Sequence, residues 1–394
     1  MAALPDAARM LAWDHDEKLL AFQNLPGIFA THHIDAAPAP FPLPRGSDLG
    51  DVSYERGGEA LTFHDYLDRQ NVVAMLVIKD GQVRAETYRH GTDETTHWTS
   101  WSVGKSVVST LVGIALHNGA VTSLDDQVVR YVPELRGSAY EPVTLRHMLQ
   151  MSSGVAWSED PHTPEPNVAT FAASLARQEP GAVLEIARSL PRATVDDSGA
   201  TVEPGTRFTY SNVEAFLVGL ALERATGEHL SEYLARHVWH PFGMESDVWW
   251  MSESPGGTDS GAGDFSATLR DYGRFGQFVL DDGVLPDGTR TLPVGWMDEA
   301  TTWAQHTADP AYPNARPGRY GHFWWNHVPD EPDAEGARGT GTTFTAAGLF
   351  GQYIIVDRGT RTVMVQWSVY DAPPVDEMAQ ETATLFAAIA RSGQ

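Results

Sequence analysis

Apolar positions along the chain change their period twice. Thr62 to Asn71 is spaced as a short helix. Val72 to Ile78 and Gln82 to Tyr88 then read as two strands around an Asp80-Gly81 turn, a hairpin signal. Thr99-Ser100-Trp101-Ser102-Val103-Gly104-Lys105-Ser106 follows, small and turn-prone, and runs into Val107 to Leu116. That run is too apolar for a solvent-facing helix, so it predicts a buried central helix. From Val121 to about Gly283 the spacing is helical and loop-rich. Thr144 to Met151 predicts a short helix with Leu145, Met148 and Leu149 inward, ending at Ser152-Ser153-Gly154. Asn212 to Thr226 places Val213, Phe216, Leu217 and Leu220 on one face and stops at Gly227. Leu230 to His240 and Ser266 to Asp282 predict further helices, and Pro161 to Pro166 and Asp196 to Gly205 predict loops.

The last third returns to strand-like content in Tyr320 to Asn326, Phe344 to Val356 and Arg361 to Tyr370, with Gly351 as a break inside the second. A final amphipathic helix uses Val375, Met378, Thr382, Leu385 and Ile389. Residues 1 to 60, with Pro38, Pro40, Pro42 and Pro44, read as an irregular arm. Strands at both ends with helices between predict an α/β fold. Residues 1–100 and 285–394 build one antiparallel sheet flanked by helices, and 101–284 form an inserted, mainly helical domain.

Charge and composition narrow the function. The 394 residues carry 52 acidic against 27 basic side chains, a net charge of −25, which repels nucleic acid and anionic membranes as partners. The absence of cysteine excludes disulfides, a thiol nucleophile and thiolate metal sites. Met1 to Asn24 has no basic n-region ahead of an apolar core, and no stretch approaches the roughly 20 apolar residues of a membrane span. A cytoplasmic protein is the expectation.

Candidate chemistry begins at Ser102 and Lys105, which stand at i and i+3 on one helix face. A serine hydroxyl is a poor nucleophile until a base removes its proton. A lysine serves only when neutral, which needs a fall from about 10.4 toward 7, roughly 4 kcal/mol. The helix start contributes at most about 2 kcal/mol of that. Desolvation by the apolar helix must supply the rest. The same helix start aims free N–H groups outward, fit for a developing oxyanion. Ser-x-x-Lys arises by chance in a chain of this composition with expectation about 0.18, so alone it decides little. Tyr210-Ser211-Asn212, where a loop enters a helix, lowers the joint expectation to roughly 0.04. A tyrosine hydroxyl beside a lysine passes a proton to a leaving group, and an asparagine amide holds the lysine or a substrate carbonyl.

With both motifs the chain resembles the serine β-lactamase and penicillin-binding-protein superfamily in its class C-like branch. Within it the chain is most similar to family VIII carboxylesterases and 6-aminohexanoate-dimer hydrolases. The likeness runs from about Thr62 to Ile389 and includes Leu145 to Gly154 and Thr268-Leu269-Arg270-Asp271-Tyr272-Gly273-Arg274-Phe275-Gly276. It implies an acyl-enzyme on Ser102, with Lys105 as base and Tyr210 as proton relay, in a cleft between the sheet and the helical domain. It needs no metal or cofactor. The superfamily's Lys-Thr-Gly strand motif is replaced here by Ala346-Ala347-Gly348, which removes a lysine that helps hold the carboxylate of a β-lactam or peptidyl substrate. Gly348-Leu349-Phe350-Gly351-Gln352 resembles the corresponding segment of the dimer hydrolases. By that likeness the Leu349 N–H is a second oxyanion donor beside that of Ser102, and Phe350 joins Asn212 and Trp157 among the substrate-binding candidates.

Rival signals carry less. Ser100-Trp101-Ser102-Val103-Gly104 lacks the first glycine of a Gly-x-Ser-x-Gly elbow. His237 and His240 have a metal spacing without a carboxylate to complete a site, and His32-His33 in the arm read as structural. Trp157 and the Trp324-Trp325 pair either line an acyl pocket or fill the core, and strand alternation would point one indole of the pair inward and the other outward. The expected activity is hydrolysis of a small-molecule ester or linear amide. A β-lactamase or D-alanyl-D-alanine carboxypeptidase-like activity, and a catalytically silent binding module on the same fold, are the alternatives. Oligomeric state is not readable from the sequence.

Overall fold

The computed structural model describes residues 3–159, 166–195, 199–302, 320–325, 342–371 and 376–392. Residues 161–165 and 196–198 of the two expected loops, Asn326 of an expected strand and Val375 of the last helix lie outside them.

Five strands form the main sheet in the order Gln82–Tyr88, Val72–Lys79, Thr362–Ser368, Gln352–Asp357, Thr343–Gly348, every neighbour antiparallel. Both ends of the chain therefore build it, as the sequence predicts. Val72 to Ile78 are all buried, because this central strand is covered on both faces. One cover is the helix Leu269–Leu280. Gly273 and Gly276 let it lie close: a Cβ at Gly273 would stand 2.6 Å from Leu76, and one at Gly276 2.4 Å from Val363. Another is the C-terminal helix Asp376–Arg391, where Glu381 accepts from Tyr54, Arg69 and Gln70 and Thr382 accepts from Tyr66.

A second, four-stranded sheet has the order Thr31–Ile34, Val248–Met251, Phe265–Thr268, His97–Thr99. Two of its strands fall inside residues 101–284, so that stretch is not wholly helical, and its strands pair across to the N-terminal part. Ser266 lies within the strand Phe265–Thr268 rather than opening a helix. Thr268 is the N-cap, accepting from the Asp271 N–H, so the helix begins only at Leu269. Residues 320–325 form isolated bridges, Tyr320 to Trp325 and Trp325 to Thr345, in place of the expected strand. The expected irregular arm holds structure as well, including the helix His15–Phe22 and the hairpin Ser53–Arg56 with Glu59–Thr62. Asp14 and Glu17 close a reciprocal capping box on that helix.

The run after Lys105 is the buried helix Val103–Asn118, with every residue from Val103 to Ala115 buried and Gly119 ending it in the left-handed conformation. Among the described residues no helix is long and apolar enough to cross a membrane.

Candidate active site

Trp101 holds a left-handed backbone, φ 45°, a costly conformation for a bulky residue. It turns the chain sharply out of the strand His97–Thr99, and Ser102 follows as the N-cap of the buried helix with no side-chain cap bond. Its hydroxyl is thereby left for other partners. One turn on, Lys105 is 2% exposed, and its Nζ lies 2.8 Å from Ser102 Oγ. Two more acceptors hold the amine: Asn212 Oδ1 at 2.6 Å and the Ala262 carbonyl oxygen.

Asn212 opens the helix Asn212–Thr226, whose N-cap Ser211 accepts from Glu214. Ala262 belongs to a loop that reaches Lys105 only because two glycines touch. A Cβ at Gly104 would lie 2.6 Å from the Gly263 Cα, and one at Gly263 2.1 Å from the Trp101 carbonyl oxygen. Side chains there would push the Ala262 carbonyl away from the lysine. Burial lowers the Lys105 ammonium to about 8, against the pull of the Glu159 and Asp264 carboxylates. Near neutral pH a useful fraction is then the free amine.

Tyr210 shares a hydrogen bond with Ser102, and Lys105 Nζ stands 5.2 Å over its ring. Burial first, then the Glu159 charge, push the Tyr210 hydroxyl far above its ordinary value, so it stays a phenol. Its ring stacks on Trp325 at 5.9 Å, and Tyr320 meets both edge-on. Trp324 instead is buried against Phe344, so the pair divides as strand alternation anticipates, although no regular strand carries it.

Three participants had no sequence signal. The Glu159 carboxylate accepts from the Trp157 indole at 2.8 Å and from the Asn212 N–H at 2.9 Å, so Trp157 meets the site through Glu159. Asp264 is buried beside a small cavity of about 10 Å³ lined by Phe22, Trp101 and Met251, and burial raises its carboxyl to about 6. Ala262 contributes only a backbone oxygen.

Leu349 lies in the turn between the strands Thr343–Gly348 and Gln352–Asp357. That turn packs on the serine segment, since a Cβ at Gly348 would meet the Ser100 carbonyl oxygen at 2.6 Å. Neither the Leu349 nor the Ser102 N–H donates to an acceptor among the described residues. Phe350 stands differently from the expectation. Its side chain is 2% exposed and packs on Phe22, Trp101 and Lys18, so it braces the turn from beneath and presents no surface to a substrate. Its left-handed φ of 61° sends the side chain down into that core.

Known proteins resemble this chain to differing extents. The beta-lactamase family model matches residues 62–389. A 6-aminohexanoate-dimer hydrolase of Paenarthrobacter ureafaciens is 28% identical over 305 residues, 76% of this chain and 73% of that one. Among solved structures, a Bacillus anthracis protein provisionally named a 6-aminohexanoate-dimer hydrolase superposes with TM-score 0.74 at 19% identity, covering 94% of this chain and 92% of its own. An octameric penicillin-binding protein homologue from Pyrococcus abyssi superposes with TM-score 0.57 at 19% identity, covering 82% and 76%. These structural likenesses speak for the fold. The family match spans most of the chain, and on it the chain belongs to the beta-lactamase family, the serine β-lactamase-like hydrolases.

Proposed function

We propose that the chain hydrolyses a small carboxylic ester or linear amide through an acyl-enzyme on Ser102, without metal or cofactor. The observation that carries this reading is the set of three partners around Lys105 Nζ. A neutral amine has two N–H bonds and one lone pair. With Asn212 Oδ1 and the Ala262 carbonyl taking the two hydrogens, the lone pair is left facing Ser102 Oγ.

Ser102 Oγ then attacks the substrate carbonyl as its proton passes to Lys105. The oxyanion is received by the N–H groups of Ser102 and Leu349, which have no competing acceptor among the described residues. As the C–O or C–N bond breaks, the Tyr210 phenol protonates the leaving group and regains a proton from the Lys105 ammonium. Water entering next gives its proton to the same pair, attacks the acyl carbonyl and returns Ser102. Trp325, Tyr320 and Phe208, in mutual contact beside Tyr210, offer an apolar wall for the substrate. The relative named a 6-aminohexanoate-dimer hydrolase supports a linear amide, and Ala346 in place of a lysine speaks against an anionic β-lactam.

The test is intact mass after treatment with a reactive phosphonate ester, followed by a panel of esters and linear amides. One adduct on the wild type and none on Ser102→Ala is the expected result. An adduct on both would place the nucleophile elsewhere, and none on either, with no panel turnover, would leave a non-catalytic member of the family.

A further inference from the structure

Beside the loop that carries Ala262, four donors from four segments lie together. His32 lies on the strand Thr31–Ile34, and His229 caps the helix Leu230–Leu234. Glu223 is in the last turns of the helix Asn212–Thr226, and Asp259 precedes Ala262 by three residues. One donor atom from each of His32, His229 and Asp259 falls within 4.8 Å of the others. His32 Nδ1 is 2.6 Å from Asp259 Oδ1, and His229 Nδ1 is 3.3 Å from Glu223 Oε1. The imidazole rings face each other at 4.3 Å between centroids, tilted 36°.

The charges do not balance. The Asp259 side chain is 0% and that of Glu223 9% exposed, and their only ion-pair partners among the described residues are these two imidazoles. Two facing imidazolium rings would repel each other, so the imidazoles supply at most about one positive charge against two desolvated carboxylates, and the N–H groups of Ser231 on Asp259 and of Leu230 and Asp259 on Glu223 add dipoles without charge. A divalent cation held by neutral imidazoles brings the sum to zero. The imidazole edges keep side-chain exposures of 23% and 35%, which gives such an ion a way in.

We propose that His32, His229 and Asp259, with Glu223 beside them, bind a divalent transition-metal ion of the zinc class. Two imidazole nitrogens with carboxylate oxygens form a borderline donor set that suits zinc, cobalt or nickel and disfavours calcium or magnesium. On binding, the His32-to-Asp259 hydrogen bond is replaced by two metal bonds, its proton is released, and the 2.6 Å separation widens to the roughly 3.3 Å of two ligands on one tetrahedral ion. The ion plays no part in the hydrolysis. It ties the arm and the helix Asn212–Thr226 to the loop that presents Ala262, a loop already so tight that a Cβ at Gly261 would lie 2.3 Å from the Ala215 carbonyl oxygen.

The probe is zinc chloride in a non-chelating buffer, followed by titration calorimetry and thermal melting on metal-stripped full-length protein. Expected are one saturable ion per chain and a melting temperature raised by several degrees. Affinity should weaken by roughly ten-fold or more in both His32→Gln and His229→Gln and stay unchanged in His33→Gln. If His32→Gln does not fold, the half-exposed His229→Gln and zinc-edge X-ray absorption of the wild type, which should report two imidazole ligands, still decide. Absence of saturable binding would overturn the proposal. So would binding that survives both substitutions, or binding lost only in His33→Gln, which would place the ion at the exposed trio His33, Asp35 and Asp247.

Discussion

Lys79 and Lys105 are 4% and 2% exposed, and burial lowers both ammonium groups. Their neighbours differ. Lys79, at the end of a central strand, gives its hydrogens to the carbonyl oxygens of Ala390 and Ser392 at the end of the C-terminal helix. Every partner there is a pure acceptor, so the amine can only hold a proton and clamp the helix to the sheet. Lys105 has one carbonyl, one amide oxygen and one hydroxyl. The hydroxyl can give up a proton, and that single difference separates a clamp from a candidate base.

The largest effects should fall where the comparison is reversed. Lys105→Arg keeps the charge and cannot give the neutral form. Its turnover should drop by about a thousand-fold or more in steady-state assays, with near-wild-type melting. Near-wild-type rates would sink the scheme. Tyr210→Phe should cost on the order of 100-fold in kcat with Ser102 still open to phosphonate, since only proton delivery is lost.

Next comes pH. With Lys105 acting as the proposed base it must be neutral, so kcat/KM should rise about ten-fold per pH unit up to its value of about 8 and then level off. Stability carries the same signature with its sign worked out. The folded-state value of about 8 lies below the ordinary 10.5, so between them the unfolded chain binds the extra proton and stability rises with pH. Lys105→Met should remove that rise.

Lys79→Met should do the opposite of the Lys105 variants. It should leave turnover per folded molecule unchanged and lower stability by about 1–2 kcal/mol, read from denaturant melts, as its acceptors lose their partner. Lys18 sits between the two. It donates to the Tyr370 and Asp371 carbonyl oxygens and lies 4.2 Å over the Phe350 ring, beneath the turn carrying Leu349. Lys18→Met should lower kcat by roughly three- to ten-fold by loosening the turn proposed to supply the Leu349 N–H, without moving the pH midpoint.

What could be read from the sequence was local. Ser102 and Lys105 share one helix turn, and Tyr210 and Asn212 share one helix start, so spacing alone places them. The hairpin and the glycine break at Gly351 were legible for the same reason, because turn chemistry is set within a few residues. Glu159, Asp264 and the Ala262 carbonyl reach Lys105 through loops. A backbone carbonyl has no residue type to betray it, and only the small residues Gly104 and Gly263 mark the close approach. In the arm, the four prolines are the stronger local signal, and the Asp14–Glu17 capping box upstream of them starts the helix that supplies Phe22 beneath Phe350. At Ser266 the helical spacing was correct, but the Thr268 cap fixed a later start.

The most direct test uses the scarcity of lysine. With only three in the chain, ¹³Cε-labelled lysine gives three signals assignable by the Met variants, each followed against pH by NMR. The signal that disappears in Lys105→Met should titrate near 8, where burial has lowered it. A Lys105 signal still fully protonated at pH 10 would contradict the account, because no neutral amine would then face Ser102 in the working range.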